Sequence, residues 1–258
     1  MRWIEALIEH VTPRALHARP RDLRIGGHWT VAALEVAGAL RGGLASTLAD
    51  GDDAHHGGRV PVRDAGHLLD GAVADWVALA RSSSLWEASV GLATINALLE
   101  VPRERCVAVN AAEVIAERGA GRNVAIVGHF PFVPRIRERA GRLWVLELNP
   151  RAGDLPASYA AEILPQADVI AVTGTTLLNH TFAGLARLWR PEAFVVMLGG
   201  TTPLSPLLFE SGVDALAGTL VEDVDSALLS ASQGATFRQM RGKRLVTLFR
   251  EGGDYAAS

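Results

Sequence analysis

The chain opens with apolar residues at Trp3, Ile4, Leu7, Ile8 and Val11, steps of three and four that lay one stripe along an amphipathic helix. Over residues 20–50 that period disappears. Short apolar and β-branched runs are separated there by Gly26, Gly27, Gly38, Gly42 and Gly43, which reads as a small antiparallel meander. Residues 50–66 show no apolar period and read as a long loop. Helical spacing returns over 68–80 and again over 84–99, where Ser84 is placed to cap the N-terminus and Glu87 to close a capping box. Ala88, Ser89, Gly91 and Ala93 give this helix small sides that another element can approach closely. Asn96 sits inside its apolar run; a buried amide must find partners, so it is a structural hydrogen-bonding residue or part of a site. A short strand at RCVAV, a helix and a glycine-bounded joint near 119–122 close this half.

The second half alternates. Apolar runs predict strands at 123–128, 143–148, 168–173, 193–198, 214–218 and 244–249, and helices fall between them at 132–140, 158–164, 180–189, 204–211 and 223–232. Such alternation implies parallel strands joined by right-handed crossovers. The expected fold class is α/β: a small α+β domain over 1–120, then a Rossmann-like, mostly parallel sheet domain over 121–258.

Composition adds exclusions. Of 258 residues, 49% are hydrophobic and 21% charged, enough for a full core, and a net charge of -3 argues against nucleic acid as a partner. The single cysteine, Cys106, excludes an internal disulfide and fits a reducing compartment. Glu5, Glu9 and His10 interrupt the apolar positions of the N-terminal segment, unlike a signal peptide, and no window resembles a membrane span. A cytoplasmic protein is expected.

Candidate chemistry gathers where the strands end. GHFPFV follows the first parallel strand in the place of a dinucleotide fingerprint, yet of its glycines only Gly128 is present, so a classical NAD site is disfavoured. Glu147 lies 19 residues further on (147 − 128), where an acid would grip a ribose hydroxyl or form a strand-end salt bridge. His129, at the sheet edge beside two aromatics, is placed to ligate a metal, move protons or serve structurally. The next strand ends in TGTTLLNHT, where Thr173, Thr175, Thr176, Asn179 and His180 put hydroxyl, amide and imidazole groups at an expected helix N-terminus suited to an anion. LGGTTPLSP ends the strand after that. No CxxC or HExxH pattern occurs, and the densest group of potential metal ligands, His55 and His56 with Asp50, Asp52 and Asp53, reads most simply as a solvated loop. Neither a GxSxG elbow nor a phosphate-loop lysine motif is present.

Taken together, ASVGLATINALLE, VAIVGHFPFV, LELNP, DVIAVTGTTLLNHT and MLGGTTPLSP resemble the protein family described as "putative heavy-metal chelation" domain. The resemblance implies an enolase-N-terminal-like domain before the Rossmann-like one, and a site in the cleft between them that binds or processes a metal or a metal-chelating small molecule. The matching positions are Asn96, His129, Glu147, Asn149, Thr173, Asn179 and Thr201. His55 and His56 are not part of the pattern.

The resulting expectation is a protein that binds a small polar, metal-chelating ligand or metal chelate between its domains. Asn96 and Asn149 would orient it, and His129 and Glu147 would ligate a transition-metal ion or shuttle protons. Thr173, Gly174, Thr175 and Asn179 would hold an anionic group, with Gly199 and Thr201 completing the site. The alternative is a lyase or transferase with His129 as acid or base and a nucleotide-like cosubstrate near Glu147. A third reading is an assembly protein whose small-sided helix 84–99 serves an interface; a homodimer is left open.

Overall fold

The computed structural model describes residues 2–48 and 62–252, so His55, His56, Asp50, Asp52 and Asp53 lie outside the described residues. Helix α1 (Arg2–Ala15) buries Ile4, Leu7, Ile8 and Val11, the stripe its period predicts. Strands β1 (Arg19–Ile25), β2 (Trp29–Val36) and β3 (Ala39–Ser46) form an antiparallel sheet in that order. Alternate residues of a strand face opposite sides. Accordingly, Ala32, Leu34 and Val36 of β2 join the core shared with α1, while Trp29, Val31 and Ala33 pack against a helix from the second half, residues 224–232.

Helix α2 (Val73–Ala78) precedes α3 (Leu85–Leu98), which is apolar on all sides and accordingly buried nearly throughout. The small sides of α3 are used inside the chain: Gly43 of β3 lies so close that an added Cβ would overlap the Ala93 carbonyl and the Ala97 amide. Ser84 caps α3 by accepting from the Glu87 amide at 3.5 Å. The expected capping box does not close. The Glu87 carboxylate, only 4% exposed, turns instead to Arg63, whose backbone N and Nε both donate at 2.9 Å, and to the Ser82 hydroxyl at 2.5 Å. A guanidinium offers stronger, charge-assisted bonds than the one backbone amide the box would supply.

The remaining elements are β4 (Cys106–Val107), α4 (Ala111–Arg118), β5 (Asn123–Val127), α5 (Val133–Arg137), β6 (Arg142–Glu147), β7 (Leu155–Pro156), α6 (Ala160–Ile163), β8 (Val169–Thr173), α7 (Thr175–Leu178), α8 (Phe182–Leu185), β9 (Phe194–Leu198), β10 (Ala215–Val221), α9 (Val224–Ser232) and β11 (Lys243–Phe249). They build an eight-stranded sheet in the order β4-β11-β10-β9-β8-β5-β6-β7. The run from β10 to β7 is parallel, and β11 and β4 add antiparallel strands at one edge. The molecule is therefore mixed α/β, a small antiparallel sheet joined to a large, mostly parallel one. Segment 106–118 gives its strand and the buried face of its helix to the large sheet.

The six strands expected after residue 122 are all present, and β7 is an additional one. The helices between them are shorter than their patterns suggest. The expected helix over 132–140 is reduced to α5, and Pro206 starts a 3-10 helix, Pro206–Ser211, in place of the α-helix expected over 204–211. The helix expected over 180–189 is reduced to α8; α7 lies before it, and His180 between them has a left-handed φ of 58° that no continuous helix could hold.

Candidate functional site

From β5 the chain proceeds to β6 and β7 on one side, then returns to lay β8, β9 and β10 on the other. The crossovers diverge there, and a crevice opens beyond the strands' carboxyl ends. A cavity of about 410 Å³ occupies that place. Its walls include Val127 and Gly128 after β5, Leu146, Glu147 and Leu148 at the end of β6, and Thr173, Thr175, Thr176, Asn179 and His180 around α7. Gly128 has φ of 107°, and a Cβ there would lie 3.2 Å from both the Phe130 ring and the Thr173 side chain, so the turn into the cavity requires glycine. Phe130 stacks on Phe132, centroids 5.1 Å apart, just beyond this turn.

Each polar group of the cavity has a local anchor. Glu147 accepts from the backbone amides of His129 at 2.7 Å and Leu148 at 3.0 Å, one on each carboxylate oxygen. Thr173 Oγ1 lies 3.0 Å from Thr175 Oγ1 and accepts from the Thr175 amide at 3.3 Å, while the Thr176 hydroxyl donates back to the Thr173 carbonyl at 2.7 Å. Asn179 Oδ1 accepts from the Thr181 hydroxyl at 2.7 Å. These bonds are the turn chemistry by which short polar side chains stop a helix.

His180 differs from the rest. Its Nε2 lies 3.0 Å from the Ser82 carbonyl, which can only accept, so Nε2 carries the hydrogen. Its Nδ1 is buried without a hydrogen-bond partner among the described residues. Ser82 is itself fixed through its hydroxyl by Glu87. Burial pushes the Glu87 carboxyl up, but hydrogen bonds from Arg63 and Ser82 outweigh it and hold the group below the usual carboxylate range. The first half of the chain thus fixes a side chain that lines a cavity in the second.

The sequence-derived candidates divide. Glu147, Thr173, Thr175 and Asn179 come together around the cavity. His129 lies beside it: its amide is held by Glu147, and its Nδ1 is 2.8 Å from Asp154 Oδ2, a carboxylate 2% exposed that also accepts from the Arg151 amide. That pairing ties the turn after β5 to the loop after β6. Asn149 is exposed on that loop. Gly174 faces away, against Thr202. Gly199 turns the chain after β9, and buried Thr201 bonds Ser46, its Oγ1 accepting from Ser46 N and donating to Ser46 Oγ, both at 2.9 Å. Asn96 Nδ2 donates to Leu44 O at 2.8 Å and Thr201 O at 3.2 Å. Asn96, Gly199 and Thr201 therefore belong to the seam between the two sheets and do not line this cavity. His180 gains weight relative to the sequence reading; its signal lay in the polar cluster of TGTTLLNHT, but its contact with Ser82 joins residues 98 apart.

The donor set limits what could be held. Among the described residues no three His, Cys, Asp or Glu side chains converge as a metal site would require. Cys106 is half-buried near the Pro102 carbonyl, and burial pushes its thiol up, away from the thiolate that soft metals bind. A heavy metal bound by protein groups alone does not fit these residues. Nor does a bare anion: α7 is a single turn, and no lysine or arginine lines the cavity among the described residues.

The fold and cavity define an α/β protein with a metabolite-sized crevice at the switch point of a parallel sheet. Residues 110–250 match the family described as "Putative heavy-metal chelation", and residues 8–99 match a second family model of the same description. The chain belongs to this family. It is 25% identical over 238 residues to an uncharacterized protein of Methanocaldococcus jannaschii, covering 86% of this chain and 90% of that one. A crystal structure of a family member of unknown function from Desulfitobacterium hafniense superposes with a TM-score of 0.78 at 24% identity, covering 95% of this chain and 98% of that one. Another, from Pyrococcus horikoshii and also of unknown function, gives 0.81 at 19% identity, covering 96% and 100%. These two likenesses concern the fold. In the described residues no helix is long and apolar enough to cross a membrane.

Proposed function

We propose that the strand-end cavity binds a small polar molecule that already chelates a metal ion, the metal arriving as part of the ligand. Glu147 and His180 face the metal-bearing side; the Thr173 and Thr175 hydroxyls and the Asn179 amide orient the remainder. The observation that carries this reading is that His180, whose buried Nδ1 has no partner among the described residues, lines the same cavity as Glu147.

One imidazole and one carboxylate are too few to retain a metal by themselves, but enough to complete a coordination sphere that a chelator has partly filled. A backbone carbonyl on the opposite ring nitrogen, here that of Ser82, is the kind of partner that orients metal-binding imidazoles generally. The charge balance agrees: a chelated cation meets a carboxylate in this cavity and no fixed positive side chain among the described residues. The volume of about 410 Å³ is that of a small-molecule site. The family's description is of the same kind.

The reading is tested by thermal unfolding of the untagged full chain with nickel iminodiacetate, free nickel, free iminodiacetate and adenosine nucleotides, since a ligand of the native state raises the melting temperature. Iminodiacetate leaves coordination positions open for protein donors. The nickel complex is expected to raise the melting temperature more than either component. A response to nucleotides and none to the complex would contradict the proposal and favour an enzyme using a nucleotide-like cosubstrate at Glu147.

A further inference from the structure

A second cavity, of about 70 Å³, lies on the seam between the two sheets and shares no lining residue with the first. Its walls come from β3, the C-terminal end of α3, the segment after it, and β10. Arg41, Asn96, Arg103, Thr202 and Thr219 are its polar lining, and no carboxylate lines it among the described residues.

Three of these residues carry buried side-chain oxygens without a partner among the described residues: Asn96 Oδ1, Thr202 Oγ1 and Thr219 Oγ1. Thr202 is only 2% exposed. Buried polar atoms are normally satisfied, so three orphans around one small cavity point to something that satisfies them together. Their chemistry is mixed. The two hydroxyls can donate, whereas Asn96 presents its acceptor, because both bonds to Leu44 O and Thr201 O use its amide hydrogens.

Charge narrows the ligand. Arg41 donates to the Leu99 carbonyl at 3.0 Å and keeps further N–H groups in its fork. Burial, then repulsion from Arg14 and Arg103 against attraction from Glu100, holds its guanidinium below its ordinary value. Glu100 is 2.7 Å from Arg14, and its side chain is 69% exposed. Arg14 nevertheless has Nε and Nη2 buried without partners among the described residues. Around Arg41, among the described residues, three arginines thus share one solvated carboxylate, an imbalance that an anion would correct.

We propose that this seam cavity is a binding site for hydrogen phosphate. Arg41 and Arg103 supply the counter-charge, and the Thr202 and Thr219 hydroxyls donate to the anion's oxygens. Asn96 Oδ1 accepts the anion's own O–H. The last contact sets the selectivity: sulfate has the same shape but no hydrogen to give at neutral pH, and would leave Asn96 Oδ1 unpaired. The volume fits the anion itself, and its position across the seam means that binding would tie the two sheets together.

Calorimetric titration of the untagged full chain with inorganic phosphate and with sulfate, at matched ionic strength, tests the assignment. Phosphate is expected to bind saturably, and sulfate at least tenfold more weakly. Arg103→Gln, at an exposed position where folding is not at stake, should weaken phosphate binding tenfold or more, and Thr219→Val threefold or more. Arg135→Gln, an exposed arginine outside the seam, should bind like the parent. Equal binding of the two anions would overturn the proposal. So would parent-like binding by Arg103→Gln, or no saturable heat below about 10 mM phosphate.

Discussion

His180 Nε2 and the carbonyl of Ser82 meet at 3.0 Å, across 98 residues of sequence and between the two halves of the chain. Among the described residues, the contact orients the one imidazole that lines the strand-end cavity and leaves its other nitrogen without a partner. His180 is also one of the few residues other than glycine with positive φ, at 58°. Asparagine tolerates that conformation better than most residues. His180→Asn is therefore expected to lose only the bond to Ser82, about 1 kcal/mol, and to keep the fold. Urea denaturation of the variant and the parent checks this.

Glu87 gives the account a pH dependence. Its carboxyl titrates below the usual carboxylate range in the folded protein because the bonds from Arg63 and Ser82 favour the ionised form more than burial opposes it. A depressed acid stabilises the fold fully above its unfolded pKa, and that contribution is lost as pH falls through the folded value. The parent should exceed Glu87→Gln in stability at neutral pH, with the gap closing only below about pH 4. Unfolding curves of both proteins from pH 7 to pH 3 measure it; a gap that is constant over that range would contradict the assignment.

Asn96 holds the seam. Its Nδ2 spans Leu44 O on the small sheet and Thr201 O after β9. Asn96→Ala leaves those carbonyls without their donor and should cost roughly 1–3 kcal/mol by denaturant unfolding. If stability is unchanged, the seam does not depend on this amide.

Gly43 tests how closely β3 and α3 are packed. The atoms that an added Cβ would overlap are backbone atoms, Ala93 O and Ala97 N, which cannot rotate away. Gly43→Ala should destabilise by roughly 3 kcal/mol, a cost typical of overpacking. Gly27, with open space where a Cβ would point, should accept alanine at little cost. The two melting temperatures, measured side by side, check the contrast.

These residues also show what a sequence can and cannot convey. The strands from β5 onward were legible because a strand buried on both faces is a short, continuous apolar run, and VAIV or VIAV admits little else. Helix α3 was legible for a related reason: Ser84 marks its start, and its interior is uninterruptedly apolar. The shorter helices were not, because left-handed His180 occupies an expected helix start and Pro206 opens a 3-10 helix, neither of which apolar spacing encodes.

At the site, Glu147, Thr173, Thr175 and Asn179 were readable as strand-end polar residues, since the end of a parallel strand fixes a residue's position in space. Asn96 and Thr201 enter the expected site through the family resemblance, and Gly199 through the strand end LGGTTPLSP. Which sheet edge or seam they serve depends on how β3 and α3 dock on the loop after β9, and no local pattern encodes that docking. The Ser82–His180 contact was invisible for the same reason, and Glu87 was misread as a capping partner because the pull of Arg63 is not local either.

The central claim is that Glu147 and His180 together receive the metal-bearing side of a chelated ligand. Calorimetric titration of nickel iminodiacetate into the untagged parent, Glu147→Gln and His180→Asn tests it most directly. The account predicts one-to-one binding by the parent and a loss of at least about 1.4 kcal/mol, a tenfold weakening, in each variant. Binding of the complex by both variants as tightly as by the parent would contradict it.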